Sequence, residues 1–235
     1  MLLAAIAAFV PVLAVDYLLD SYVRVKERAQ LQQSMDAVIG GVQATLQDAV
    51  SAMRRVLAES PSLCTPTFVA NVHKSMGQSL AVKQVLVENS DGVQYCDALG
   101  RQVVYSRLSE ELAIPGNTEK MSIVKLGELS MPVFKITQAF GSSRLVSVFA
   151  PVMGLTAENL LSSLRTTTGV RLSLTNGLPV VTIGDGASFD GRGKMEFVTA
   201  QAFAGEFPIR AEAAVPFAIV RADYADLDAS FTVIA

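Results

Sequence analysis

Few residues in this chain can do chemistry. It has two cysteines, Cys64 and Cys96, and one histidine, His73. Two thiols have two readings. They are inert, apolar side chains, as is usual in a reducing compartment, or they form a disulfide, as is expected in an oxidising one. A Cys64–Cys96 bond would close a loop of about 33 residues, and chain entropy assigns such a loop roughly 3 to 4 kcal/mol of stabilisation. A redox catalyst instead needs Cys-x-x-Cys at a helix N-terminus, where the neighbouring thiol and the helix dipole lower the pKa of the attacking sulfur. The spacing here is far too long for that. A bond between these two positions would tie the end of one element to the start of another, which is the geometry of a staple or a switch.

The remaining polar residues offer no catalyst. His73 would need a Ser or Cys nucleophile and an orienting carboxylate, and no Gly-x-Ser-x-Gly elbow occurs, so it reads as a surface or packing residue. The segment GDGASFDGRG (Gly184 to Gly193) lacks both the ligand spacing of a calcium loop and the lysine of a phosphate loop, and reads as a flexible strand connection. Glu110-Glu111 and Glu119-Lys120 read as solvated charges in a polar connection. Zinc needs three or four ligands at short spacings, which one His and two Cys do not supply. No catalytic, cofactor or metal residue is therefore expected. A net charge of -3 with no basic stripe gives no reason to expect nucleic acid as a partner.

The elements that must position the cysteines begin with an apolar run, Met1 to Leu19, broken only by Asp16. Its length is near the minimum for a membrane-spanning helix, and 1–19 is assigned as one. The mean hydropathy of +0.39 agrees with a membrane segment. Arg24, Lys26 and Arg28 just after it favour a cytoplasmic side for the following residues, whereas large domains are translocated largely regardless of charge. The expected location is the bacterial inner membrane with the following domain in the periplasm. Residues 20–60 contain no proline, and Met35, Ile39, Val42, Leu46, Ala49, Met53 and Val56 recur at steps of four and three. This predicts a long membrane-proximal helix whose seam lies on its own sheet or pairs with a second copy as a parallel dimer. Gly40-Gly41 within it predicts a kink or a close approach.

Pro61 ends that helix, and Cys64 sits in a break before a second helical stretch opening at Pro66. Period-two alternation then gives a hairpin turning at Asp91-Gly92, with Cys96 on the returning strand. Strands are predicted at 122–126, 132–140 and 144–152, a helix at about 155–165, a hairpin turning at Asn176-Gly177, and two last strands turning at Ala204-Gly205-Glu206. Residues 61–215 thus read as one α+β domain with an antiparallel sheet of the PAS- or Cache-like kind. Residues 216–235 read as a C-terminal helix that turns apolar toward a second membrane segment.

The stretch VLVENSDGVQYCDALG (Val85 to Gly100), together with Leu63-Cys64-Thr65-Pro66 and the order of membrane helix, long helix, Cys, helix and hairpin Cys, resembles the CSS-motif sensor domain of bacterial cyclic-di-GMP phosphodiesterases. The namesake Cys-Ser-Ser triplet is Cys96-Asp97-Ala98 here, so no role of those serines carries over. The resemblance implies a periplasmic domain between two membrane helices that regulates a cytoplasmic EAL domain, which would follow Ala235. It implies a Cys64–Cys96 pair whose disulfide holds the phosphodiesterase low and whose reduction raises it. The partner it implies is a periplasmic thiol oxidase and reductase system. The alternative from the residues is a small-molecule sensor in which the disulfide is purely structural.

Overall fold

The structure, a computed structural model, describes residues 2–97, 103–127, 132–152, 164, 167–189 and 195–224, and of residues 2–13, 187 and 188 the backbone alone. One helix, α1 (Leu2–Glu59), runs the length of the molecule. At 1.5 Å per residue it is about 87 Å long, and no local pattern supplies its stability alone. Packing does: Met35, Ile39, Val42, Leu46, Ala49, Met53 and Val56 are each at most 5% exposed. They belong to one core with the sheets of the same chain. The seam is therefore spent within the chain, and two copies pairing through α1 would have to use another face.

The expected kink or close approach at Gly40-Gly41 is corrected in one respect. The helix continues through both residues, and a Cβ at either would meet no heavy atom within 4 Å. The membrane assignment of 1–19 falls mainly on residues whose side chains lie outside the description. Among the described residues no helix is long and apolar enough to cross a membrane.

The rest of the chain forms two antiparallel sheets rather than the single sheet expected for 61–215. The larger contains β1 (Gln84–Asn89), β2 (Gln94–Asp97), β3 (Tyr105–Arg107), β4 (Leu112–Ala113), β5 (Lys120–Leu126), β6 (Pro132–Phe140) and β7 (Arg144–Pro151). Its order is β2-β1-β7-β6-β5-β3, with β4 also paired to β5. The predicted meander is β5 to β7, and the Asp91-Gly92 hairpin joins β1 to β2 with Val87 opposite Cys96. Asn89 closes that turn through its side-chain carbonyl, which accepts from the amides of Asp91 and Val93 at 3.0 and 2.8 Å.

The smaller sheet holds β8 (Gly169–Leu174), β9 (Pro179–Ile183), β10 (Phe197–Phe203) and β11 (Ile209–Pro216) in the order β10-β11-β8-β9. The hairpin at Asn176-Gly177 is present, with Gly177 at φ 93°, the left-handed region that glycine enters without a steric cost. The predicted helix at 155–165 lies outside the described residues, apart from Leu164.

The N-terminal part of α1 lies along the smaller sheet, where the Gln32 amide donates to the Gln201 carbonyl at 2.9 Å. Its C-terminal part lies along the larger one, where Arg54 reaches Glu119. A second helix, α2 (Pro66–Gln78), folds back on the end of α1, and a short helix, α3 (Phe217–Asp223), follows β11 directly. α3 sits beside the start of α1: Arg221 bonds Asp16 at 2.5 Å and lies 3.3 Å from Asp20, and Arg24 stacks over the Phe217 ring at 3.7 Å. The incoming and outgoing helices thus meet at one end of the molecule. Residues 225–235, on which a second membrane segment was expected, are outside the description.

Candidate functional site

Three local features bring the cysteines together. α1 ends at Glu59, and Asn71 of α2 donates to the Glu59 carbonyl and to the Ser60 hydroxyl, both at 3.0 Å, so the helix ends are pinned side by side. Thr65 caps α2, its hydroxyl accepting from the Phe68 amide at 3.2 Å, and Pro66 fills the first helical position, as the sequence led one to expect. Between these fixed points Cys64 takes φ 61°, which makes it the one non-glycine residue with positive φ among the described residues.

On the other side, Val87 points into the core beneath α1, and Cys96 opposite it inherits the same face. Cys64 and Cys96 form a disulfide with their Cα atoms 5.9 Å apart, inside the range such bonds require. Both residues are half-buried against the core. The link therefore ties the α1–α2 corner to the edge strand of the larger sheet. Asp97, the residue after Cys96, accepts from the Gln84 side chain at 3.0 Å.

The other residues singled out from sequence are not gathered here. His73 is exposed on α2. Glu119 corrects the expectation of a solvated charge: it is 1% exposed, and Arg54 of α1 grips its carboxylate with two nitrogens at 2.6 and 2.9 Å. That pair holds the Glu119 carboxyl below its ordinary value. Glu111 lies within 4 Å of Lys120 and of Arg107, at 3.9 and 3.7 Å, and Glu110 is exposed. The segment from Gly184 is not simply a flexible connection. Gly184 has φ 76°, and a Cβ there would stand 2.2 Å from the Thr168 carbonyl oxygen, so the backbones of 168–169 and 184–185 cross in contact. A 3-10 turn, Gly186–Phe189, follows, and residues 190–194 lie outside the description.

A second constellation escaped the sequence reading. On the face of the larger sheet turned away from α1, Glu88 of β1 and Lys135 of β6 are each 2% exposed and form an ion pair. Tyr105 of β3 donates to Glu88 at 2.8 Å and accepts from Lys135 at 2.7 Å, and the Ser147 hydroxyl donates to Glu88 at 3.2 Å. Burial pushes the Tyr105 hydroxyl above its ordinary value, so it stays a donor. Leu86, Val124, Val133 and Phe149 surround the group with apolar side chains. The available signal was a charge in the middle of each of two apolar strands, VLVEN and VFKIT. A buried pair of this kind contributes little net stability but is costly to break.

No family model matches the sequence, and no curated protein does. Among solved structures, several superpose on parts of the chain. The extracellular domain of a protein described as the histidine kinase rpHK1S-Z16 superposes with a TM-score of 0.54 at 10% identity, covering 82% of this chain and 95% of that one. An extracellular ligand-binding receptor from Desulfohalobium retbaense gives 0.45 at 9% identity, covering 79% of this chain and 39% of that one. The ligand-binding domain of Mlp24 with asparagine gives 0.45 at 13% identity, covering 85% and 99%. The first of these shows that the fold of this chain is shared with the extracellular domain of that protein.

Proposed function

We propose that the chain is the extracytoplasmic sensor region of a bacterial membrane-bound signalling protein, and that the Cys64–Cys96 disulfide is its switch. The carrying observation is the placement of this bond. It joins the corner after α1 to the edge of the larger sheet, it is half-exposed to a reductant, and it is anchored at a residue held in left-handed backbone. Reduction by a dithiol proceeds through a mixed disulfide. Two electrons and two protons pass to Cys64 and Cys96, and the donor leaves as a disulfide. The corner is then free to relax, and α1 carries the change toward the end where it meets α3. The fold shared with the extracellular domain of a protein described as a histidine kinase and the meeting of α1 and α3 at one end support a place between two membrane segments.

The regulated output is the hydrolysis of cyclic-di-GMP, a reading that rests on the residues around Cys64 and Cys96 that resemble the CSS-motif domain. Full-length protein in membranes, assayed for cyclic-di-GMP hydrolysis with and without a dithiol, tests it. Activity rises on reduction in the wild type, and a Cys96→Ser variant is high and indifferent to the dithiol. Equal activity in all four conditions refutes the switch.

A further inference from the structure

Tyrosine is concentrated at the end of the molecule where α1 meets α3. The chain has five tyrosines, and Tyr17, Tyr22 and Tyr224 stand at this end. Tyr17 and Tyr22 are five positions apart and therefore about 140° apart around α1. Tyr224, just past α3, takes a third side, in a groove that it shares with Leu19, Asp20 and Val23. Val15, Leu18 and Val25 flank Tyr22, and these three with Tyr17 and Tyr22 are 37% to 74% exposed. Toward the N-terminus, residues 2–14 continue the same helix with no charged or hydrogen-bonding side chain.

Exposed apolar side chains at this density mark a surface that another body covers. One partner helix, such as α1 of a second copy, would cover the stripe of Val15, Leu18, Tyr22 and Val25 and leave Tyr17 and Tyr224 bare. A surrounding layer covers all three sides. The ring of tyrosine is apolar and its hydroxyl polar, which suits the boundary between hydrocarbon and water. At 1.5 Å per residue Tyr17 and Tyr22 are about 7.5 Å apart along the axis, and the headgroup layer of one bilayer leaflet is about 5 to 8 Å thick. The two acids at this level, Asp16 and Asp20, are both engaged by Arg221, at 2.5 and 3.3 Å. Lys26 and Arg28 are exposed about 6 and 9 Å beyond Tyr22, from where long basic side chains reach lipid phosphates. Along α1 the order is therefore apolar, aromatic, basic.

We propose that the ends of α1 and α3 form a tyrosine collar that seats in the headgroup layer of a phospholipid bilayer, with Tyr17, Tyr22 and Tyr224 at the boundary and Lys26 and Arg28 on the phosphates. The proposal rests on the reading of the chain as part of a membrane-bound sensor, and adds where that sensor meets lipid. The collar sets one depth for the incoming and the outgoing helix.

The chain has no tryptophan, so Tyr17→Trp and Tyr22→Trp each carry a single fluorescent reporter, and Tyr95→Trp on β2 serves as the control. Each variant of the whole chain is reconstituted in phosphatidylcholine–phosphatidylglycerol vesicles and recovered by flotation. Its emission is then measured with lipids brominated near the headgroup end or at the far end of the acyl chain. The expected result is a loss of emission at both α1 positions, larger with the shallow bromines, and no loss in the control. No loss at the α1 positions in floated protein overturns the proposal and leaves the membrane-bound reading standing. A loss larger with the deep bromines does the same, as does a blue shift that tracks protein concentration and ignores bromine, which assigns the face to a second copy. Protein that does not float overturns both. Should Tyr17→Trp fail to fold, Tyr22→Trp decides alone.

Discussion

Cleaving the disulfide should cost less than chain entropy alone predicts. The bond spans a sequence separation of 32 residues, and a loop of that length constrains the unfolded chain by roughly 3 to 4 kcal/mol. Against this stands Cys64 at φ 61°. A non-glycine residue pays about 1 to 2 kcal/mol in the left-handed region, and an uncrosslinked corner can relax away from it. The net loss on reduction is then about 2 kcal/mol, or a fall in Tm of about 4 to 8 °C for a domain of this size. Circular dichroism melts of the chain with and without a phosphine reductant measure it. The Cys64→Ser/Cys96→Ser variant should melt with the reduced protein and ignore the reductant. Cys64→Gly/Cys96→Ser should melt no higher than the serine double variant, because a corner already relaxed out of the left-handed region gains nothing from the freedom of glycine. Identical melts for oxidised and reduced wild type would refute the reasoning, as would a glycine variant clearly more stable than the serine one.

Other expectations rest on single contacts. Lys135→Met leaves Glu88 charged and buried, and should cost about 3 to 5 kcal/mol in urea unfolding. Adding Glu88→Gln should return most of it, and a single-variant loss below about 1 kcal/mol would contradict the pairing. Glu119, held by Arg54, has a lowered pKa in the fold. Its contribution is therefore complete above the ordinary value of 4.5 and fades as pH falls through the lower folded value. Unfolding measured from pH 6 to pH 2 should show Glu119→Gln losing the acid-dependent part of the wild-type slope. Gly40→Ala and Gly41→Ala, with open space around both, should each stabilise the chain by about 1 kcal/mol. A destabilised Ala variant would mean that the helix needs glycine there for packing or bending.

Much of this arrangement was legible from residue spacing. The α1 seam from Met35 to Val56 announced a long packed helix, and Asp91-Gly92 and Asn176-Gly177 announced their hairpins. Cys64 and Cys96 were legible as a pair, since each followed a clear local signal. The strands β3 and β4 were missed because three- and two-residue strands carry no period. The division into two sheets was missed because antiparallel hairpins read alike whichever sheet they join. Glu88, Lys135 and Glu119 resisted for a different reason. A charge in a sequence reads as solvent-facing, and only the register of distant strands shows that its partner is buried with it. The Arg171–Glu212 ion pair on the smaller sheet was hidden in the same way, because the two residues become neighbours only through the pairing of β8 with β11.

Thiol trapping in living cells gives the most direct test of the switch. Cells are quenched in acid and the free thiols alkylated, then the remaining disulfides are reduced and labelled with a second, heavier reagent before mass spectrometry. The account predicts that both cysteine peptides carry the heavy label in untreated cells and shift together to the light label after a brief dithiol exposure. Light label at Cys64 and Cys96 before any reductant is added would contradict it, as would heavy label that no dithiol removes while the protein stays folded.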